Sequence, residues 1–333
     1  MVPDLVRLLA RYGVLAAGIV LLNFFVPRLL PGDPLDFGAG EGANSAVPLS
    51  GAAREQLRAY YRLDEPMGRQ LADYLGDLAR GDLGRSIVRP TPVGELIGDR
   101  LPWTMGLLLV ALGISVVLGT VGGLAAGWRP GTRRDRVLVS TASALAAIPE
   151  FLIAIGLLAV FAAGFGWFPL FGGRTVFAVY DGDLGGRARE WLDVVWHLTL
   201  PAATLVLAGA SPFFLLSRDA TAGIRHEPWL MVARAKGLPE SRVVRGHALP
   251  NVALPLLAFA GPRLGGVLGG ALVVERVFGV PGLGLLAYQA IRARDYPVLQ
   301  AVFLLAGLGV LAANLLVDVV SLRLEARRGG ARG

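Results

Sequence analysis

Two charged residues lie inside long apolar stretches of the sequence. Glu150 follows Pro149 within residues 137–165, and Arg263 lies within residues 251–273. A charge inside a membrane-spanning segment is costly unless it is paired or faces water. The two residues could form an ion pair with each other across a helix bundle, or both could line a polar pathway and contact a charged solute. We treat both as candidate pathway residues.

The other reactive residue types form no catalytic pattern. Lys236 is the only lysine, and no glycine-rich loop precedes it, so a phosphate-binding Walker motif is excluded. His197, His226 and His247 are far apart and form no metal-binding pair at helical spacing. The sequence has no Gly-x-Ser-x-Gly motif and no cysteine. We therefore predict a protein that is not an enzyme, holds no metal and draws energy for any active process from a partner.

The composition is typical of a membrane protein. Hydrophobic residues make up 54% of the chain, charged residues only 17%, and the mean hydropathy is +0.58. Six segments are long and apolar enough to cross a bilayer as helices. Three have no charged residue apart from a neutral histidine (103–128, 194–217 and 296–317), and three are interrupted (5–27, 137–165 and 251–273). We predict an all-α integral membrane protein with six transmembrane helices.

The charges in the connecting segments predict the orientation. Residues 129–136 contain four arginines and one aspartate, and residues 218–249 contain six basic and three acidic residues. Residues 31–100 and 166–193 are instead acidic, with eight arginines against eleven acids and three against four. By the positive-inside rule, both termini and the two basic segments face the cytoplasm. The net charge of +7 is thus explained by topology and anionic lipid, without nucleic acid.

This topology divides the chain into four regions. They are a first transmembrane helix with a cytoplasmic N-terminus (1–30), an extracytoplasmic loop region (31–100), a transmembrane domain with helices 2–6 (101–322) and a cytoplasmic tail (323–333). The loop region has apolar residues near helical spacing at 53–63 and 70–79. At about seventy residues it exceeds an ordinary connection, so it either caps the external side or meets another protein.

The basic segment 218–249 contains the signature of a short helix. Pro228 suits the first turn, Gly237 suits a left-handed helix end, and Pro239 prevents continuation, which predicts a helix over 228–236. Trp229, Val232 and Ala233 lie along one side of that helix. From these residues alone, the helix could dock into a groove on a partner or lie on lipid headgroups.

Several motifs resemble those of the dipeptide/oligopeptide family of ABC importer permeases, B-type subunit. Ala-Arg-Ala-Lys-Gly-Leu at 233–238, followed by His-Ala-Leu-x-Asn at 247–251, is similar to the EAA loop of these permeases. The other matching segments, in order, are Pro-Gly-Asp-Pro at 31–34, Leu-Asp-Glu-Pro at 63–66, Gly-Asp-Leu-Gly-Arg-Ser at 81–86, Gly-Ala-Leu-Val-Val-Glu at 270–275, Pro-Gly-Leu-Gly at 281–284 and Arg-Asp-Tyr-Pro-Val-x-Gln at 294–300. The resemblance covers nearly the whole chain.

The resemblance implies a coupling helix that docks on an ATP-hydrolysing subunit. The residues that carry over to this docking element are Met231, Val232, Ala233, Arg234, Ala235, Lys236, Gly237, Leu238 and Pro250. Met231 replaces the acidic first residue of the general motif, so no salt bridge can start there. Pro250 stands where the peptide family usually has arginine, and the family's final Tyr and Asp-Pro-Arg tail are absent.

The same resemblance implies a fold, partners and a substrate. The expected fold is that of type I ABC importer permeases. Expected partners are a second homologous permease, two ABC ATPase subunits, an extracytoplasmic substrate-binding protein and the lipid bilayer of a bacterial cell. No cofactor is expected in this chain, because ATP and Mg²⁺ would bind the ATPases. The expected substrate is a di- or oligopeptide; nickel, glutathione-like peptides and sugars are alternatives within the family. If Glu150 and Arg263 line the pathway and do not pair with each other, they could meet the charged termini of such a peptide.

Two hypotheses from other classes also fit parts of the sequence. A secondary transporter driven by an ion gradient would use Glu150 as its coupling group, and a membrane scaffold would tolerate substitution of Glu150 and Arg263. Glycines at four-residue intervals (Gly119, Gly123 and Gly127) allow close helix packing, either as a fixed contact or as a sliding gate.

Overall fold

The computed structural model describes residues 2–29, 55, 65–89, 91–269, 272–293 and 295–329 of the 333-residue chain. The segment predicted to be helical at 53–63 lies outside these residues except for position 55, as does the motif at 31–34. The described residues form helices joined by turns, with one isolated β-bridge between Arg85 and Pro92.

Twelve α-helices make up the described part of the chain. In order they are α1 (Val2–Leu29), α2 (Met67–Ala79), α3 (Val93–Trp128), α4 (Arg133–Ala147), α5 (Glu150–Leu157), α6 (Leu184–Ile224), α7 (Pro228–Ala235), α8 (Glu240–Val243), α9 (Leu249–Gly269), α10 (Leu272–Phe278), α11 (Leu283–Ala293) and α12 (Tyr296–Gly329). Two π-helical segments continue α5 (Leu158–Gly164) and join α8 to α9 (Val244–Ala248).

The predicted all-α architecture with six spans is confirmed, with one helix pair bent. Five stretches of the described chain are long and apolar enough to cross a membrane, and a sixth results if α4 and α5 are counted as one broken span. The five are Val6–Phe25, Val93–Trp128, Leu184–Ile224, Glu240–Arg263 and Tyr296–Val320. The helix α3 begins inside the region 31–100, and α12 continues into the predicted tail.

The third predicted span is not a straight helix. It bends by 98° between α4 and α5. Ile148 has an extended backbone (ψ 123°) because the ring of Pro149 disfavours a helical conformation in the preceding residue, and Pro149 itself has no N–H for a helical hydrogen bond. The bend makes Glu150 the first residue of α5. The sequence analysis described 137–165 as an interrupted span, and the structure places the interruption at Pro149 with a bend that the sequence did not predict.

The helices α3 and α6 lie in direct backbone contact. A Cβ atom on Gly119 would lie 2.7 Å from the carbonyl oxygen of Ala210, and one on Gly123 would lie 2.5 Å from that of Phe214. At Gly127 the corresponding distance is 2.3 Å. No side chain fits in these gaps, so the glycines are required by the helix crossing. The interpretation of this series as a packing surface is confirmed.

The first helix rests against the last. The side-chain amide of Asn23 donates to the carbonyl oxygen of Gln300 at 3.0 Å, and the Gln300 amide donates back to the carbonyl oxygen of Asn23 at 3.0 Å. Nearer the other end of the pair, the Tyr12 hydroxyl donates to Asp318 at 2.8 Å. These polar contacts join α1 and α12 at two positions along their length. They define the register of the two helices, which apolar packing alone would define only weakly.

Replacing Gly123 by alanine should destabilise the protein, because the new methyl group would overlap the backbone of α6. We expect a loss of about 1–3 kcal/mol, typical of overpacking, measured as a lower Tm in detergent. Gly113→Ala is the matched control, since it lies on the same helix with no atom within 4 Å of the new Cβ. Equal Tm values for the two variants would contradict the close α3–α6 contact.

Candidate functional site

The segment 218–249, here called the basic loop, contains the short helix that the sequence predicts. Pro228 occupies the first turn of α7, and the helix ends at Ala235, one residue before the predicted end. Gly237 has a φ of +73°, a left-handed conformation that an L side chain rarely adopts. Pro239 then precedes α8. Pro228, Gly237 and Pro239 therefore begin and end the helix as the sequence analysis predicted.

One side of α7 is anchored inside the protein. Leu230 and Ala233 are buried together with Val243 and Ala248, which lie on α8 and the π-segment after it. Ala233 is only 3% exposed. The indole of Trp128, the last residue of α3, packs against this cluster. The basic loop is thus a small folded unit attached to the end of α3.

Arg234 is used within the loop itself. Its guanidinium forms a salt bridge with Glu240 at 3.2 Å and lies 5.2 Å from the centre of the Trp128 ring. The indole N–H of Trp128 donates to the same Glu240 carboxylate at 2.7 Å. A third contact runs from Arg234 to the carbonyl oxygen of Arg225 at 3.4 Å. Arg234 therefore joins α7, α8 and the end of α3.

The opposite side of α7 is exposed and partly apolar. Met231 is 60% exposed and Val232 is 54% exposed. They form, with three exposed neighbours, what we call the outer face: Met231, Val232, Ala235, Lys236 and Gly237. The structure thus separates Val232 from Trp229 and Ala233, which the sequence analysis placed along one side.

The two remaining docking candidates lie beside this face. Leu238 is half-buried and packs against the cluster under α7. Pro250 is exposed at the second position of α9. Neither extends the outer face of α7, so the nine candidates divide between a group that anchors the loop and a group that solvent or a partner can reach.

A buried ion pair joins the two basic segments. The Arg218 guanidinium makes two bonds to Asp135, at 2.8 Å from Nη2 and at 3.0 Å from Nε. Asp135 is buried and also accepts the backbone N–H of Gly131 at 2.8 Å. Sequence reasoning missed this pair, although Asp135 is the single acid among four arginines in 129–136. The pair fixes the start of α4 to the end of α6.

Glu150 and Arg263 line the same cavity. Its volume is about 440 Å³, and Ser115 from α3 and Gly209 from α6 also line it. The Arg263 guanidinium lies 3.6 Å from the centre of the Phe259 ring and donates to the carbonyl oxygen of the same residue at 3.3 Å. The two residues that the sequence singled out therefore come together in space.

The two charges in this cavity do not neutralise each other. Arg263 bonds to its own helix and stacks on aromatic rings, and no salt bridge joins it to Glu150. Glu150 is half-buried and has no hydrogen-bond or ion-pair partner among the described residues. The structure therefore shows no ion pair between Glu150 and Arg263, and it places both residues at one cavity.

Residues 119–330 match a family described as the inner membrane component of binding-protein-dependent transport systems. The chain belongs to this family. Curated relatives cover nearly its full length. A glutathione transport system permease protein of Pectobacterium atrosepticum is 35% identical over 94% of both chains. An oligopeptide permease of Bacillus subtilis is 33% identical over 91% of this chain and 92% of its own, and a di/tripeptide permease of Pseudomonas aeruginosa is 33% identical over 91% of both.

Family membership establishes several of the predictions. The chain is a multi-pass inner membrane permease of the type I ABC importer fold, and it is not itself the ATPase. It works with an ABC ATPase and a substrate-binding protein. The hypotheses of an ion-gradient transporter and of a scaffold are thereby replaced by an ATP-driven importer.

A buried glutamate that sequence reasoning left without a role organises one end of the permease. Glu275 on α10 is fully buried and accepts the Thr104 hydroxyl at 2.7 Å and the backbone N–H of Leu285 at 3.0 Å. Thr104 in turn accepts the N–H of Leu283 at 2.7 Å. The carboxyl group thus lies at the N-terminus of α11, where negative charge is favoured. It joins α3, α10 and α11.

Two glycines of the Pro-Gly-Leu-Gly motif make this arrangement possible. A Cβ on Gly282 would lie 2.4 Å from the Glu275 carboxyl group, and one on Gly284 would lie 2.6 Å from the Cα of Leu272. Glu275 lies outside the helices long enough to cross a membrane. Its burial raises the pKa of the carboxyl group above the ordinary value of 4.5, against the opposite effect of the hydrogen bonds from Thr104, Leu285 and Gly284.

Two other segments that resemble motifs of the dipeptide/oligopeptide permeases contact each other. The Ser86 hydroxyl, from the segment 81–86, donates to the buried carboxylate of Asp295, from the segment 294–300. The backbone N–H of Ile87 donates to the same carboxylate at 3.2 Å. The contact holds the chain before α3 against the start of α12. Both motifs were noted in the sequence only as resemblances, since nothing in their separation of 209 residues indicates contact.

Replacing Glu275 by glutamine should destabilise the permease, because the new side-chain NH₂ group would face the hydrogen-bond donors of Thr104 and Leu285. The raised pKa also predicts a pH dependence. Because the pKa of Glu275 is higher in the folded protein than in the unfolded chain, the contribution of its carboxyl group to stability is complete below about pH 4.5. This contribution is lost as the pH rises through the pKa of Glu275 in the folded protein. The difference in Tm between wild type and Glu275→Gln should therefore shrink as the pH rises from about 4.5.

The control for this experiment is Glu95→Gln, which removes an exposed carboxyl group from the first turn of α3. Its difference in Tm from wild type is compared over the same pH range. A Glu275→Gln difference that stays constant with pH would contradict the assigned effect of burial on Glu275.

Proposed function

We propose that this permease forms the membrane pathway for di- and oligopeptides and that ATP hydrolysis by its partners drives alternating access through the basic loop. The observation that carries the proposal is the outer face of α7: apolar side chains exposed on a helix whose other side is anchored to α3. Exposed apolar residues on a rigid, short helix suit a groove on a partner protein.

The contacts under α7 provide a route for transmitting force. A partner that moves the outer face also moves Ala233 and Leu230, which are packed against Trp128 of α3. The Arg234–Glu240–Trp128 contacts resist separation of α7 from α3. Through Asp135 and Arg218, the start of α4 follows the end of α6. Movement of the loop would thus reach the helices that line the cavity.

The nine docking residues carried over by resemblance divide into two roles in this proposal. Met231, Val232, Ala235, Lys236 and Gly237 would face the ATPase. Ala233, Arg234 and Leu238 would hold the loop in shape, because they contact the chain itself. Pro250 would set the direction of α9 as it leaves the loop. A substitution at Ala233 therefore tests the folding of the loop, and one at Met231 or Val232 tests docking.

Peptides are the substrate class that the relatives support. Their names refer to oligopeptides, di- and tripeptides, and glutathione, which is itself a tripeptide. Glutathione is a specific second candidate, because one relative at 35% identity is named for it. Nickel and sugars are not favoured by these names.

The assembly that we propose contains one copy of this chain, a second homologous permease, two ABC ATPase subunits and an extracytoplasmic binding protein. ATP and Mg²⁺ would bind only the ATPases. Both termini and the basic loop would face the cytoplasm, because the arginine-rich segments lie there by the positive-inside rule. The region 31–100 and the segment 166–193 would face the binding protein.

Introducing a charge on the outer face should prevent docking. Val232→Asp is expected to lower the co-purification of the ATPase at least about tenfold, since it places a carboxylate in an apolar contact. Peptide uptake should fall in parallel, while the amount of permease in the membrane stays unchanged. Met67→Asp on α2 is the control, because Met67 is also exposed, at 48%, and lies far along the chain from the basic loop. Normal ATPase recovery with Val232→Asp would overturn the docking assignment.

The orientation predicts the activity of reporter fusions. Green fluorescent protein fused after the last residue should fluoresce, because it would fold in the cytoplasm. Alkaline phosphatase inserted in the exposed segment near Phe177, which is 97% exposed, should be active, because this enzyme requires the oxidising external side. The reverse pattern would show that the termini lie outside.

A further inference from the structure

We propose that the cavity around Glu150 and Arg263 binds the zwitterionic ends of a short peptide, with Glu150 contacting the ammonium group and Arg263 the carboxylate. This inference rests on the proposed function, since it specifies what the pathway recognises in a peptide. It assigns a ligand-binding role to two residues of this chain and predicts that the transporter distinguishes peptides with free ends from capped ones.

Glu150 is placed to accept a ligand. The 98° bend after α4 makes it the first residue of α5, so its side chain lies at a break between helices. Within the described chain its carboxylate has no hydrogen-bond or ion-pair partner, although the side chain is half-buried. A partly buried carboxylate with no partner has lost hydration without compensation, so an ammonium group entering the cavity would be stabilised there.

Arg263 is held in a fixed orientation but keeps free donors. Stacking on Phe259 at 3.6 Å, with Phe213 at 5.7 Å, orients the plane of the guanidinium. One N–H bonds to the carbonyl oxygen of Phe259. A guanidinium has five N–H donors, so enough remain for a bidentate contact with a carboxylate. Because the group is already oriented, little rotamer entropy is lost when a carboxylate binds.

The pair of charges selects the class of ligand. A simple cation would compensate Glu150 and leave Arg263 uncompensated, and a simple anion would do the opposite. A zwitterion compensates both and brings no net charge into the membrane. The cavity volume of about 440 Å³ falls in the range of small-molecule sites. A dipeptide carries both charges within that size, whereas a long peptide separates them.

The experiment measures binding of three probes to the transporter. The complex of both permeases and the ATPases is placed in nanodiscs without the binding protein, because that protein would select peptides by itself. Equilibrium dialysis then gives the affinity for dialanine, N-acetyl-dialanine and dialanine amide. We expect wild type to prefer dialanine over each capped probe by roughly 10-fold to 100-fold, the range for losing one charged hydrogen bond.

The two variants should lose this preference in a crossed pattern. Glu150→Gln should bind dialanine and N-acetyl-dialanine equally but still discriminate against the amide. Arg263→Gln should bind dialanine and its amide equally but still discriminate against the acetylated probe. Glu150→Asp keeps the charge and should retain the preference for a free ammonium group. The matched control pair is Arg174→Gln and Glu190→Gln, two exposed and oppositely charged residues that pair with each other at 3.6 Å outside the cavity.

Three results would overturn the inference. The first is a wild type without preference among the probes, and the second is unchanged preferences in Glu150→Gln and Arg263→Gln. The third is loss of the second permease from either variant complex, which would assign the charges to the subunit interface. Uptake of dialanine by the intact wild-type transporter, with its binding protein, is measured separately. Absence of that uptake would reject the proposed peptide function, whereas uptake without the crossed pattern would reject only the role of this cavity.

Discussion

Three glycines on one side of α3 let its backbone lie directly against the backbone of α6, and the other sites take their positions from this contact. Trp128, which supports the basic loop, ends the same helix. Ser115 and Gly209 face the cavity from the two helices of the pair. Thr104, the partner of Glu275, is also on α3. In a membrane no hydrophobic force favours one helix pair over another, so close packing of small residues has to set the geometry.

Three acidic residues show how this apolar protein handles buried charge. Asp135 is compensated by a bidentate arginine, and Glu275 is compensated by a hydroxyl and backbone N–H groups at a helix start. Glu150 has neither kind of partner within the described chain. The first two carboxyl groups join helices together and are explained by structure alone. Glu150 remains available to a ligand, so the binding role proposed above belongs to the cavity and not to Asp135 or Glu275.

Much of the architecture could be predicted because it depends on local patterns. Apolar stretches of sufficient length identified the spans, and Pro228 with Gly237 identified α7, since each signal acts through its own backbone. The bend at Pro149 was missed because the flanking residues are apolar on both sides and the hydropathy pattern continues through it. The sequence therefore indicated an interrupted span containing Glu150, but not that the chain bends there.

The candidate functional site could be predicted only in part, because some of its signals are local and the rest depend on the tertiary fold. Motif similarity located the basic loop, but it could not tell that Ala233 faces inward and Val232 outward, because that depends on where Trp128 and Val243 pack. The contacts of Ser86 with Asp295, and of Thr104 with Glu275, join residues far apart in the chain. Only the tertiary fold brings such pairs together, and no spacing in a single sequence encodes them.

The length of α3 has a mechanical consequence. Its 36 residues span about 54 Å at 1.5 Å per residue, well beyond the roughly 30 Å of a hydrocarbon core. Thr104 lies in the first half of the helix, Trp128 is its last residue, and the glycine contact with α6 runs from Gly119 to Gly127. Because the glycine contact lies closer to Trp128 than to Thr104, a tilt of α3 about this contact would displace Thr104 farther than Trp128 and in the opposite direction.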